Sequence, residues 1–281
     1  MGPSAMRIAG LAQTLRALGH DVLDAGNVRV EQRETAQEGD PSLKFLEPIR
    51  QACVEVYATT AAMLEQGRCP LVLGGDHSLA MGSIAAVVDV ARSRGERVGV
   101  VWLDAHGDMN SPDTSPSGNI HGMPLAVLLG RGPDALVRIG ASTPVIAPDQ
   151  VALVGIRAID TAESAAIRSS GVHALTMRDV DERGMRAVIA EAIETLLSSC
   201  DRLHVSFDVD FLDPLIAPGV GTRVRGGPNY REAHLVMEML ADCGKVGSVD
   251  VVELNPILDR ENVSAELVVE LLASLFGRRI L

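Results

Sequence analysis

Short apolar runs alternate with stretches of helical period along almost the whole chain, and that alternation limits the fold more than any other feature. Runs at 70–73, 98–103, 150–156, 203–207 and 247–252 are largely apolar, with a shorter one at 21–23. A strand apolar at successive positions is covered on both faces, as strands of a parallel sheet are. Between the runs, helical patterns span 48–65, 79–93, 161–169, 185–197, 230–240 and 263–276, the last followed by Gly277 as a C-cap. The order predicts an α/β fold: three layers, α/β/α, around a mostly parallel central sheet. The chain opens on a helical pattern over 5–18, with Pro3 placed for a first turn.

With 281 residues and 47% hydrophobic content, the chain can bury a substantial core. Polar stretches at 110–118 and 213–229 are too long for simple connections. The chemical motifs lie on both sides of each, which predicts one domain over 1–281. A net charge of −12 argues against nucleic acid or an anionic membrane as partner, and toward a cationic or neutral one. Cys53, Cys69, Cys200 and Cys243 form no C-x-x-C pair, so neither a disulfide framework nor a zinc ribbon is expected. No apolar run approaches the roughly 18 residues of a membrane span, and the start lacks the build of a signal peptide. A cytoplasmic protein with reduced thiols is expected.

Three chemical clusters stand at the ends of apolar runs. DAHGD supplies Asp104, His106 and Asp108 at every second residue, which in extended chain share one side. Asp208 and Asp210 follow the 203–207 run with the same period, and GGDHS after 70–73 supplies His77. The carboxyl ends of parallel strands are where open α/β sheets form ligand crevices. Four carboxylates and two imidazoles gathered there repel one another unless cations are bound, and two divalent ions balance the four carboxylates. The oxygen-rich donor set, without thiolate, suits Mn²⁺ better than Zn²⁺ and leaves Fe²⁺ and Co²⁺ open. A two-metal site lowers the pKa of bound water from about 15.7 toward about 7, so the expected reaction is hydrolysis by a metal-bridging hydroxide. Glu253, after the last strand, either faces water or, beside such a site, suits a planar guanidinium.

The motifs GGDHS at 74–78, DAHGDMN at 104–110, SGNIHGMP at 117–124, SFDVDFLDP at 206–214 and VVELNP at 251–256 resemble, in content and order, the signatures of the ureohydrolases. Within that arginase–agmatinase family the likeness is to bacterial-type arginases, and it runs from Gly2 to the C-terminal GRRIL. The resemblance implies an arginase/deacetylase-like fold and two Mn²⁺ per chain. It assigns one ion to His77, Asp104, Asp108 and Asp208 and the other to His106, Asp104, Asp208 and Asp210. It makes His121 the proton shuttle and Glu253 the partner of the guanidinium, with Asp108 counted among the catalytic residues, and it puts Thr222 in the same site. Asn110, Ser117 and Asn119 match positions around an α-carboxylate, and Asp160 and Glu163 match acids that address an α-amino group. The implied activity is cleavage of L-arginine to L-ornithine and urea, by a homo-oligomer, trimer or hexamer.

Two departures stand out. Ser115-Pro116 replaces a common hydroxyl pair, and Arg223 follows Thr222 where proline is usual. Family members also carry a first strand and a glycine-rich loop ahead of the GPSAMR-like helix, so Met1 resembles an internal methionine of a longer protein. Alternatives are a ureohydrolase for agmatine or guanidinobutyrate, a metallophosphoesterase, and an inactive metal-binding homologue. The phosphoesterase is disfavoured because its D-x-H and GD elements are normally separate, whereas here they are fused in DAHGD.

Overall fold

The computed structural model describes residues 1–279; Ile280 and Leu281, the end of GRRIL and of the expected 1–281 domain, lie outside the described residues. Six strands form one sheet: β1 (Leu71–Leu73), β2 (Val98–Leu103), β3 (Val151–Ile156), β4 (His173–Thr176), β5 (Arg202–Asp208) and β6 (Val246–Val252). Their spatial order is β1-β6-β5-β2-β3-β4, and every neighbouring pair is parallel.

Eleven helices accompany the sheet among the described residues. They are α1 (Gly2–Ile8), α2 (Leu11–Ala17), α3 (Leu46–Glu65), α4 (Ala80–Ser93), α5 (Pro124–Leu128), α6 (Asp134–Val137), α7 (Thr161–Ser170), α8 (Met177–Arg183), α9 (Met185–Leu197), α10 (Tyr230–Asp242) and α11 (Val263–Leu275). The period-two geometry of β2 sorts its apolar residues between two cores. Val98, Val100 and Trp102 meet α4, α5 and α7 on one face, while Val101 and Leu103 join α9, α10 and α11 on the other. Each fully buried Val, Leu or Ile contributes roughly 1.5–3 kcal/mol, so strands that are apolar throughout favour a sheet covered on both sides. The three layers match the sequence expectation.

The sheet order creates the crevice. From β2 the chain moves outward through β3 to β4, then returns to the other side of β2 for β5 and β6. This reversal lies between β2 and β5, the topological switch point where ligands bind in open α/β sheets. Leu103 pairs with Phe207 there, so the next residues, Asp104 and Asp208, leave the sheet side by side.

Three local expectations are corrected. Residues 21–23 form no strand; Asp21 and Leu23 are exposed and only Val22 packs on the core, with no strand beside them to supply hydrogen bonds. The helical pattern over 5–18 is broken into α1 and α2, because Gly10 takes a left-handed conformation at φ 83°. Strand β4 was unforeseen: at four residues, only one of them buried, it shows no clear apolar run.

Candidate metal centre

All three motifs end their strands by the same local device, a carboxylate accepting from a backbone N–H two residues on. Asp104 Oδ1 accepts from His106 N at 2.7 Å, Asp208 Oδ1 from Asp210 N at 2.7 Å, and Asp76 Oδ1 from Ser78 N at 2.9 Å. The clusters are therefore turns rather than the extended chain that their two-residue period predicts. Asp208 starts the 3₁₀ turn Val209–Phe211, and Asp76 starts the 3₁₀ turn His77–Leu79 that leads into α4. Asp108 and Glu253 hold the left-handed region at φ 50° and 60°, a conformation that costs a non-glycine residue about 1–3 kcal/mol and persists where surrounding contacts enforce it. Gly155, at φ 94°, lets the β3 end pass beneath the turn: a Cβ there would lie 2.4 Å from the Phe211 ring.

These turns bring two imidazoles and four carboxylates together. His77 Nδ1 lies 3.2 Å from Asp104 Oδ2, 3.0 Å from Asp108 Oδ2 and 3.2 Å from Asp208 Oδ2. His106 Nδ1 lies 3.5 Å from Asp104 Oδ1 and 3.0 Å from Asp210 Oδ2. Donor atoms of His77, Asp104 and Asp208, and those of Asp104, His106 and Asp210, fall within 4.8 Å of one another, so Asp104 belongs to both groups. Except for the partly exposed His106, the six residues are buried.

Burial and mutual repulsion favour the protonated form of two carboxylates in the cluster. Desolvation and the neighbouring Asp104 charge push the Asp108 carboxyl up to about 7. Burial, with Asp210 and Asp104 beside it, carries Asp208 well above the carboxylate range. Burial opposes charge on His106, yet Asp104 and Asp210 bring its imidazolium up to about 12. His77 Nδ1 and Asp108 Oδ2 are buried with no hydrogen-bond partner. Unpartnered nitrogen and oxygen donors converging at hydrogen-bond distances fit a divalent metal, and the two groups sharing Asp104 form a binuclear metal site.

The tethers of His77 escaped the sequence reading. Its Nε2 meets Ser206 Oγ at 2.9 Å, and its ring stacks on Trp102 at 4.3 Å. Trp102 also donates Nε1–H to Asp104 Oδ2 at 3.0 Å. The only usable signal was position: the chain's single tryptophan lies two residues before DAHGD.

Glu253 sits beside this centre at the end of β6. Its Oε1 accepts from His77 N at 2.8 Å and faces His121 Nδ1 at 3.3 Å. Glu253 raises His121 to about 9, while burial raises the Glu253 carboxyl itself. Asp76, His121 and Glu253 form a third cation-accepting group, more exposed than the other two.

The remaining candidates come from three segments, 110–119, 160–163 and the loop holding Thr222, and among the described residues only Thr222 bonds a cluster side chain. Asn110 donates Nδ2–H to Asp160 Oδ2 at 2.9 Å, and Asp160 also caps α7 by accepting from Glu163 N. Glu163 is buried and its Oε1 accepts from Met109 N at 3.0 Å. Thr222 Oγ1 donates to Asp210 Oδ2 at 2.7 Å. Ser117 and Asn119 stay exposed; Ser117 Oγ accepts from Asn119 N at 3.2 Å, and neither bonds the cluster among the described residues.

Comparison with known proteins agrees with this architecture. The Arginase family model matches residues 1–277. The arginase of Bacillus caldovelox is 47% identical over 282 residues, covering all of this chain and 93% of that protein. Its native structure at pH 5.6 superposes with a TM-score of 0.95 at 46% identity, covering 100% of this chain and 93% of that one. An Entamoeba histolytica arginase in complex with L-ornithine gives a TM-score of 0.88 at 35% identity, covering 99% and 91%. A family match over nearly the full length, on a fold whose switch point carries the paired His/Asp clusters, leads to one conclusion: the chain belongs to the arginase family.

Proposed function

We propose that this protein is a manganese arginase, hydrolysing L-arginine to L-ornithine and urea. The observation that carries the reading is the pair of His/Asp groups sharing Asp104, with the carboxylates of Glu253 and Asp76 gathered around His121. His77, Asp104, Asp108 and Asp208 would hold one Mn²⁺, and His106, Asp104, Asp208 and Asp210 the other. When bound, the two ions neutralise the carboxylates and lower the pKa of water toward neutrality.

The chain's own residues supply the rest. Glu253 receives the planar guanidinium through charge-assisted hydrogen bonds, orienting its carbon toward the metal ligands. His121, bonded to Glu253 and partly exposed, passes a proton to the departing amine of ornithine and recovers one from solvent. Water supplies the oxygen: the C–O bond forms first, making the guanidinium carbon tetrahedral, and the C–N bond to the ornithine nitrogen then breaks as that nitrogen takes the proton from His121, leaving urea and ornithine. Asp160 and Glu163 address the α-amino group, while Asn110, Ser117 and Asn119 offer neutral donors to the α-carboxylate. Thr222 lines the pocket and steadies Asp210. The L-ornithine bound by the Entamoeba arginase supports an amino-acid product for this reading.

Residues 1–281 serve as one domain of a cytoplasmic homo-oligomer, a trimer or hexamer. No helix among the described residues is long and apolar enough to cross a membrane. Turnover of L-arginine, agmatine and guanidinobutyrate by the Mn²⁺-loaded protein tests the substrate. Arginine preferred by at least about a hundredfold supports arginase, and equal or better turnover of either analogue refutes it.

A further inference from the structure

We infer that Arg157 is a positioning residue that fastens the 209–228 loop to the end of β3, and thereby sets where Asp210 and Thr222 stand. The inference rests on the reading that these two residues serve metal and substrate.

Arg157 follows β3 in the GIRAID sequence. Among the described residues no carboxylate bonds its guanidinium, and every hydrogen bond it makes goes to a main-chain carbonyl. Nη2 donates to Asp210 O at 2.8 Å, Leu212 O at 3.2 Å and Val224 O at 2.9 Å. Nη1 donates to Phe211 O at 3.0 Å and Gly155 O at 3.2 Å, and Nε to Arg225 O at 3.3 Å. One planar group thus joins the outgoing limb of the loop (210–212), its returning limb (224–225) and the last turn of β3. Gly227 closes against the same group: a Cβ there would lie 2.6 Å from Nη2. The backbone adds a fourth element, since Arg157 N donates to Ala105 O at 2.9 Å, next to Asp104.

The loop has an internal tie as well. Asp213 accepts from Leu215 N at 2.9 Å and from Gly226 N at 2.8 Å. These bonds close the loop on itself without fixing it to the sheet. The middle of the loop is held past the end of β6, where Val220 bridges Leu254, Gly219 O accepts from Asn255 N at 2.7 Å and Gly219 N donates to Ser264 Oγ at 2.8 Å. Arg157 attaches the two limbs, 210–212 and 224–225, to the end of β3, and its fork of five donors spans a width that a lysine ammonium cannot.

Hydrogen exchange and Mn²⁺ titration of the full chain, wild type against Arg157→Lys and Arg157→Ala, provide the test. The Lys variant keeps the charge and loses the fork. Amides bonded within the loop, such as Asp213 N to Pro228 O and Ile216 N to Asp213 O, should exchange at least about tenfold faster in it, while β2, β3 and β5 keep wild-type protection. The second equivalent of Mn²⁺ should bind at least about tenfold more weakly, and KM should rise more than kcat falls. Guanidinium ion at a few millimolar should restore part of the loop protection in Arg157→Ala and none in Arg157→Lys. Loop exchange in the Lys variant within about twofold of wild type overturns the inference. So does a uniform loss of protection across the sheet, which would make Arg157 a general stabiliser. Should the wild type bind no Mn²⁺, the functional reading fails, and the exchange data still decide the role of Arg157.

Discussion

His77 Nδ1 and Asp108 Oδ2 stand 3.0 Å apart in the interior, and neither atom has a hydrogen-bond partner among the described residues. Ser206 holds the other ring nitrogen of His77 and Trp102 stacks on its face, so the imidazole is oriented toward the carboxylates in advance. Leaving buried polar atoms unsatisfied costs about 1–3 kcal/mol each. A cation between them satisfies both, and several measurable consequences follow from that arrangement.

Metal should stabilise the fold strongly. A ligand that binds only the folded chain adds about 2.7 kcal/mol per site at a hundredfold excess over its Kd. For a chain of this size that corresponds to at least about 5 °C in Tm. Calorimetry with Mn²⁺ and then with excess chelator should show the rise and its reversal; equal melting temperatures would count against a metal-binding fold.

Asp208→Asn should separate metal binding from folding. Folding raises the Asp208 pKa well above the carboxylate range. A group of that kind costs stability once the pH exceeds its unfolded value, and costs most above its folded value. At pH 8 the metal-free Asn variant should therefore melt at or above the wild type, by up to a few degrees, and gain nothing from Mn²⁺. A metal-free variant that melts several degrees lower would mean that the carboxylate cluster is intrinsically stabilising.

Glu253→Gln keeps a side chain of the same shape beside His121 but removes the charge that meets a guanidinium. Charge-assisted hydrogen bonds are worth about 1.5–3 kcal/mol each, so kcat/KM for arginine should fall roughly a hundredfold or more. Bound Mn²⁺ per chain should stay unchanged in elemental analysis. Loss of metal in this variant would instead make Glu253 a ligand.

The His121–Glu253 contact has a defined pH signature in metal-free protein. Glu253 raises His121 from 6.5 to about 9. A pKa raised on folding gives stability fully present below the unfolded value and lost as pH climbs through the folded one. The Tm difference between wild type and His121→Asn should thus be greatest just below pH 6.5, of order a few degrees, fade at lower pH as the raised Glu253 carboxyl is protonated, and vanish as pH climbs past about 9. A difference independent of pH would deny the pairing.

The sheet was legible where burial on both faces left a continuous apolar signal: β2 runs from Val98 to Leu103 as read from sequence, and β5 is one residue longer at each end than the 203–207 run. It was illegible at 21–23, where two apolar residues after Asp21, Val22 and Leu23, say nothing about whether a neighbouring strand exists, and at β4, whose four residues are too few for a period. The metal-cluster residues were legible because three His/Asp groups follow separate apolar strands, a repetition that turn capping by Asp alone does not require. Their geometry was misjudged, since a two-residue period fits an extended strand and an Asp-capped turn equally well. Trp102, Ser206 and Arg157 act through contacts with segments 25 or more residues away, and no local pattern encodes such contacts.

The central claim is most directly tested by titrating Mn²⁺ into metal-free protein while measuring bound metal and urea formed from L-arginine in the same samples. The account predicts saturation at two ions per chain, with urea and ornithine appearing in equal amounts and the rate reaching its maximum at that occupancy. Two bound ions without urea above the metal-only control would contradict the activity, and fewer than two at saturation would contradict the centre itself.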